Sequence, residues 1–265
     1  MGTLYLVATP IGNLEDLSPR ALRTLRNAVL IAAEDTRHTR KLLTHFDLHT
    51  RLVSYHEHNK LSRLDQVLAA LQTGDVALVS DAGTPALNDP GYELVRAALQ
   101  AGFTVSPIPG PSAPVAALVA SRLPTDTFLY LGYLPRKAGE RCRLLEDVRA
   151  LPHTLIFLES PHRLLEALAD LQQALGDRPA AVARELTKLY EEIFRGTLSQ
   201  AAAHFSMHPP KGEFTLVIGG DTAAPAAWAE ARLDQEIDQA LAEGESAAQI
   251  AARLAAESGW ARREV

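Results

Sequence analysis

The chain has 265 residues, 47% hydrophobic and 22% charged, a globular composition long enough for two compact domains. Its single cysteine, Cys142, cannot form an internal disulfide, which argues for a reducing, cytoplasmic setting. No apolar run is long enough to cross a bilayer and the apolar first ten residues lack a basic leader and a cleavage pattern, so neither membrane insertion nor secretion is expected. The formal net charge of −6 speaks against a polyanionic partner, but the distribution does not. From Arg20 to Arg63 nine cations face four acids, with His38, His45, His49, His56 and His58 in the same stretch. A second basic stretch holds Arg136, Lys137, Arg141 and Arg143 around Glu140. Solvated helix faces are the bland alternative for either cluster.

In chain order, short apolar runs alternate with helical patterns, which predicts α/β units around a mostly parallel sheet. Residues 4–8 read as a buried strand. Ser18-Pro19 opens a helix through residue 27, with Ser as cap and Pro in the first turn. Residues 29–33 form the next strand, 38–45 a helix, 52–55 a strand, and 61–72 an amphipathic helix closed by Gly74. A fourth strand at 76–80, a helix at 92–100 and a strand at 105–108 complete the first sheet. Four prolines, 107, 109, 111 and 114, then surround Gly110 and impose a break. The domain boundary is placed just beyond it, near residues 122–123.

The second half repeats the alternation, with strands at 128–131, 154–158 and 180–184 and helices at 140–149 and 163–175. It then turns antiparallel, with strands at 191–195 and 214–219 flanking a helix at 199–205. From residue 225 the chain reads as Ala-rich helix. Residues 249–256, a break at Ser258-Gly259 and a fresh helix from Trp260 suggest either a helix-turn-helix cut short or a plain helical tail. The expected domains are 1–122, 123–222 and a helical tail, 223–265.

Three Gly- and Pro-rich loops directly follow strands, at residues 9–14, 80–91 and 107–113. Such loops line the crevice at the C-terminal edge of an open sheet, where glycine lets backbone approach a ligand. One would be a plain turn; three after successive strands predict a shared pocket. Neither GxGxxG nor GxxxxGK[ST] occurs, so dinucleotides and nucleoside triphosphates lose their usual support. A GxSxG nucleophile elbow is also lacking.

The stretches ATPIGNLEDLSPRA, AEDTRHTRKLL, SYHEHN, SDAGTPALNDPG, PIPGPSAPVAAL, FLYLGYLPRK, FLESPHR, ARELTKLYEE and GEFTLVIGG, in that order, resemble the ribosomal RNA small subunit methyltransferase I family of the tetrapyrrole-methylase superfamily. The resemblance covers about residues 2–220. It implies two α/β domains of the class III methyltransferase type with S-adenosylmethionine in the cleft between them, a homodimer, and 2'-O-methylation of a cytidine in the decoding region of 16S rRNA within the small ribosomal subunit. A methylase of tetrapyrroles or another small molecule on the same fold is the alternative, and a non-catalytic binding module acting through the C-terminal helices is a third reading.

Carried over residue by residue, the cofactor pocket falls on Pro10 and Gly12, on Asp81, Ala82, Gly83, Thr84 and Pro85, and on Ser112 and Ala113. Tyr133, Leu134, Thr187, Phe214 and Thr215 would close it from the second domain. Asp81 could accept from an amino group or ribose hydroxyls, or merely cap its turn. Methyl transfer to a ribose hydroxyl needs in-line positioning and a group near the departing proton. Polar clusters following apolar strands supply the candidates: Lys188 or Glu185 as base, and Arg37, His38, Arg40, Lys41, Arg136, Lys137 and Arg163 for RNA. A structural ion pair such as Glu34 with Arg37 is the competing reading. His56-Glu57-His58 offers no third ligand by spacing, and the reaction needs no metal.

Overall fold

The computed structural model describes residues 1–207, 210–221, 228, 230–258 and 260. Two compact units divide the chain, Met1–Gly220 and Asp221–Val265. The first opens with β1 (Thr3–Val7), a 3-10 turn at Leu14–Asp16 and α1 (Pro19–Asn27). Ser18 caps α1 by accepting from the Ala21 N–H, and Pro19 occupies the first turn, where a missing N–H costs nothing. Next come β2 (Leu30–Ala33), α2 (Thr36–His45), β3 (Leu52–Ser54), α3 (Lys60–Thr73), β4 (Val76–Val79), α4 (Tyr92–Gln100) and β5 (Thr104–Ile108).

These strands form a parallel sheet in the order β3-β2-β4-β1-β5. β2 and β4, read as unbroken apolar runs, are buried along their whole length, as strands covered on both faces must be. Pro107 sits in β5 without penalty because β5 is the edge strand. Beyond the proline cluster lies a helix absent from the sequence reading, α5 (Ala113–Ala120), with Pro114 in its first turn. Its Ala117 and Leu118 pack with Ile156, Ala181, Ala183 and Val217 of the second sheet.

That second sheet contains β6 (Phe128–Tyr133), β7 (Thr154–Glu159), β8 (Pro179–Arg184), β9 (Glu192–Thr197) and β10 (Phe214–Ile218). α6 (Ala138–Val148), α7 (Leu164–Leu175) and α8 (Leu198–Ser206) connect them. The order is β6-β7-β10-β8-β9, with β6 and β7 parallel and β10 antiparallel to both β7 and β8. The expected boundary at 122–123 falls inside the first unit, between α5 and β6.

The second unit holds α9 (Glu230–Ala242) and α10 (Ala247–Ser258), packed through Leu233, Ala240, Ile250 and Leu254. The expected continuous helix is interrupted after α9, where Gly244 adopts φ +87° and turns the chain. Of the helix expected from Trp260 only that first residue is described, and the start at 225 lies outside the described residues.

Candidate active site

β4, β1 and β5 are adjacent and parallel, so the loops that follow them leave the same sheet edge. Those loops are tied together. Thr9 and Gly83 exchange backbone hydrogen bonds of 2.9 and 3.0 Å, and the Thr84 hydroxyl donates to the Pro111 carbonyl at 3.4 Å. From the second sheet, parallel β6 and β7 end at the edge where antiparallel β10 begins. One cavity of about 240 Å³ is walled by both sets of elements.

Nine residues of the expected cofactor pocket line this cavity: Asp81, Ala82, Gly83, Thr84, Ser112, Ala113, Tyr133, Phe214 and Thr215. Five do not. Pro10 lines a neighbouring cavity, Leu134 is 1% exposed inside the core of the second sheet, and Pro85 is not on the wall. Gly12 lies against Lys188 and Thr187, so close that a Cβ would collide with the lysine stem. Thr187 keeps its buried hydroxyl without a hydrogen-bond partner. The loop after β4 reaches across to the second sheet, where Asn88 packs on Gly132. Gly132 has φ +67° at a bulge in β6, and no side chain fits beneath Asn88.

Glu34, Asp89, Glu159 and Glu213 also line the cavity but were not among the expected cofactor residues. Their signal was readable, since Glu34 and Glu159 stand at the ends of apolar strands that open on this edge. Burial raises the Glu34 carboxyl above its ordinary value, with Asp89 adding to the shift and the Asp81 N–H opposing it. Burial likewise raises Asp89, against a hydrogen bond from Ser80. Burial pushes Tyr130 up to about 12, so it stays a hydroxyl donor. Glu159 is fully buried, with Oε1 accepting from the Ser160 N–H and Oε2 receiving no hydrogen bond. Asp81 Oδ1 accepts from the Asp35 N–H at 3.0 Å.

Lys188 and Glu185, the expected bases, pair with each other at 2.8 Å outside the cavity wall. Burial pulls Lys188 down, but the hydrogen bond to Glu185 and the charge of Glu213 outweigh it, so its value rises. For Glu185 burial pulls upward, and the hydrogen bonds it accepts from Lys188 Nζ and from the Glu213 N–H overturn it, so its value falls. The pair thus favours the ammonium form of Lys188 and the carboxylate form of Glu185, and neither side chain is on the wall of this cavity. Glu185 and Thr187 sit at φ 50° and 67°, a left-handed backbone that costs strain in residues other than glycine.

Of the expected RNA residues, Arg37, Arg40 and Lys41 share a shallow depression on α2 with Thr44 and His45. Arg37 pairs with Asp35 at 2.7 Å, not with Glu34. No ion pair engages Arg40 or Lys41 among the described residues. His38 lines the neighbouring cavity with Lys41. Lys137 pairs with Glu140 at the surface, and Arg136 is exposed beside it. Arg163 donates to the carbonyls of Leu134 and Pro135. Arg141, read as part of the second basic stretch, is 2% exposed and paired with Glu166 and Asp170. Among the described residues no group of three or more His, Cys, Asp or Glu is placed to hold a metal ion, and no helix is long and apolar enough to cross a membrane.

The model of the tetrapyrrole (corrin/porphyrin) methylases matches residues 3–202. Ribosomal RNA small subunit methyltransferase I of Synechocystis sp. is 50% identical over all of this chain and 96% of its own length. The chain belongs to the tetrapyrrole methylase family, within the ribosomal RNA small subunit methyltransferase I group. The Halalkalibacterium halodurans member of that group is 48% identical over all of this chain and 93% of its own. In fold, this methylase is similar to uroporphyrin-III C-methyltransferase of Thermus thermophilus, solved with S-adenyl homocysteine, at a TM-score of 0.57 and 19% identity over 82% of this chain and 97% of that one.

Proposed function

We propose that this chain is an S-adenosylmethionine-dependent methyltransferase of small-subunit ribosomal RNA, and that it methylates the ribose 2'-hydroxyl of a cytidine in the decoding region of 16S rRNA. The observation that carries the methylase reading is the acidic cavity built by three post-strand loops and the facing edge of the second sheet. A sulfonium and an ammonium against one carboxylate leave the cofactor net positive, which suits walls bearing Glu34, Asp81, Asp89, Glu159 and Glu213. The unbonded Glu159 Oε2 supplies an acceptor for one of its amino or hydroxyl donors. When bound, the cofactor supplies an electrophilic methyl group.

The chain's own residues then position the acceptor and dispose of its proton. Glu34, a cavity-lining carboxylate of raised basicity, takes the proton from the ribose hydroxyl. Asp81, Ser112, Tyr133 and Thr215 hold the cofactor, and Lys188, fixed as a cation, supports the loop against Gly12. Arg40 and Lys41 hold RNA phosphate, with Arg37 and His38 beside them. We read 1–122 and 123–222 as two domains, and the protein as a cytoplasmic homodimer whose exposed Val115 and Val119, one turn apart on α5, offer an apolar face.

The relatives named for ribosomal RNA, at about half identity over the full chain, favour RNA over a tetrapyrrole acceptor. The test is mass-spectrometric mapping of ribose-methylated nucleosides in 16S rRNA from cells with and without the protein. Loss of one 2'-O-methylcytidine in the decoding region is expected, and an unchanged map rejects the assignment.

A further inference from the structure

A second cavity, of about 260 Å³, adjoins the first. Its walls include Pro10, Leu14, His38, Lys41, Leu42 and Asp81. Two of these residues connect it to its surroundings. Asp81 lines both this cavity and the one assigned to the cofactor. Lys41 lines both this cavity and the basic depression on α2 that carries Arg37, Arg40 and His45. The middle hollow thus shares one wall residue with the cofactor cavity and one with the cationic surface of α2.

The chemistry of the middle hollow is that of a nucleobase site. Pro10, Leu14 and Leu42 line it with apolar surface against which a ring can pack, and Leu14 stands 39% exposed at the end of the first loop. Asp81 engages Oδ1 with the Asp35 N–H, and a carboxylate there can accept from the exocyclic amine of cytosine. His38 and Lys41 bring positive charge where a phosphate must pass. Enzymes that do chemistry on a base seat it, unstacked, in such a pocket, and the same capture here would hold the attached ribose at the cavity mouth.

We propose that this cavity receives the base of the acceptor nucleotide, unstacked from the RNA, with its flanking phosphates on Lys41 and Arg40. The assignment rests on the ribosomal RNA reading above. It adds that the base is gripped on the α2 side of Asp81 while the cofactor occupies the other cavity that Asp81 lines, so the ribose is presented between the two.

The test is to fill the hollow without touching the cofactor cavity. Leu14→Trp and, independently, His38→Trp are made in the full chain; both sites are exposed, so folding, followed by thermal denaturation, is retained. Cofactor affinity by calorimetry and methyl transfer to small subunits from cells lacking the protein are measured with each. Cofactor affinity is expected to stay at the wild-type value while the turnover number falls by about 100-fold, since misplacing the reacting group costs that much. Wild-type turnover in both variants, or an equal loss of cofactor affinity, overturns the base site and leaves the proposed function intact. If the unmodified protein transfers no methyl group to any ribosomal RNA, the proposed function itself fails and the base site with it.

Discussion

Arg163 Nη2 lies 3.4 Å from Glu159 Oε2, yet its hydrogens go to the carbonyls of Leu134 and Pro135 at 2.9 and 3.0 Å, so the buried carboxylate oxygen has a neighbouring charge and no hydrogen bond. The guanidinium lowers the cost of burying the carboxylate without occupying it. An acceptor kept open in a cavity wall is what a ligand donor needs. Glu159→Gln is expected to weaken S-adenosylhomocysteine binding by about 10- to 100-fold, the equivalent of one charge-assisted hydrogen bond. Calorimetry checks this, and unchanged affinity removes Glu159 from the site.

Glu34 should set the acid limb of the pH–rate profile. Its folded value is raised above the ordinary 4.5, so the ionised, proton-accepting form is lost as pH falls through that higher value. Turnover is therefore expected to decline at a pH above that of an ordinary glutamate. Glu34→Gln should lower turnover by about 10²–10⁴-fold and abolish that limb, with cofactor affinity retained. Persistence of the same limb in the variant assigns the proton elsewhere.

Arg40 and Lys41 should act through phosphate alone. Replacing both with Ala is expected to weaken small-subunit binding and to lower the slope of log affinity against log salt by roughly 2, with cofactor affinity unchanged. A filter-binding titration at several salt concentrations measures the slope. An unaltered slope excludes this face of α2 from the RNA contact.

Arg141 belongs to a different ledger despite its place in a basic run. It is buried between Glu166 and Asp170 and also donates to the carbonyls of Pro135 and Arg136. Arg141→Ala removes a buried side chain and the partner of the partly buried Asp170, and should destabilise the fold by about 1–3 kcal/mol. Denaturant unfolding checks it; a shift within the range of a surface substitution would contradict the burial.

The parts of the site legible from sequence are those written locally. Apolar runs followed by Gly and Pro announced the loops after β1, β4 and β5, and the adjacency of those strands made them one wall. What escaped depends on partners far along the chain. Arg141 looked solvated because Glu166 and Asp170 lie 25 and 29 residues away, and the second carboxylate beside Lys188, Glu213, is brought to it only when β8 and β10 pair. Leu134 follows Tyr133 at the end of β6, and neighbouring side chains there point to opposite sides, Tyr133 to the cavity and Leu134 to the core. α5 was hidden by Pro114, read as a breaker when it occupies the first turn, and by an apolar run without helical period.

The position of β10 governs how the molecule can be made. The last strand of the second sheet is inserted between β7 and β8, which have no other link to each other in the sheet. As the chain leaves the ribosome, every strand of the first sheet has emerged once residue 108 is free, whereas the second stays two separate ribbons until residue 218 follows. The wall bearing Phe214 and Thr215 is therefore the last to be laid, and a nascent chain can bury its first core long before it can enclose a ligand.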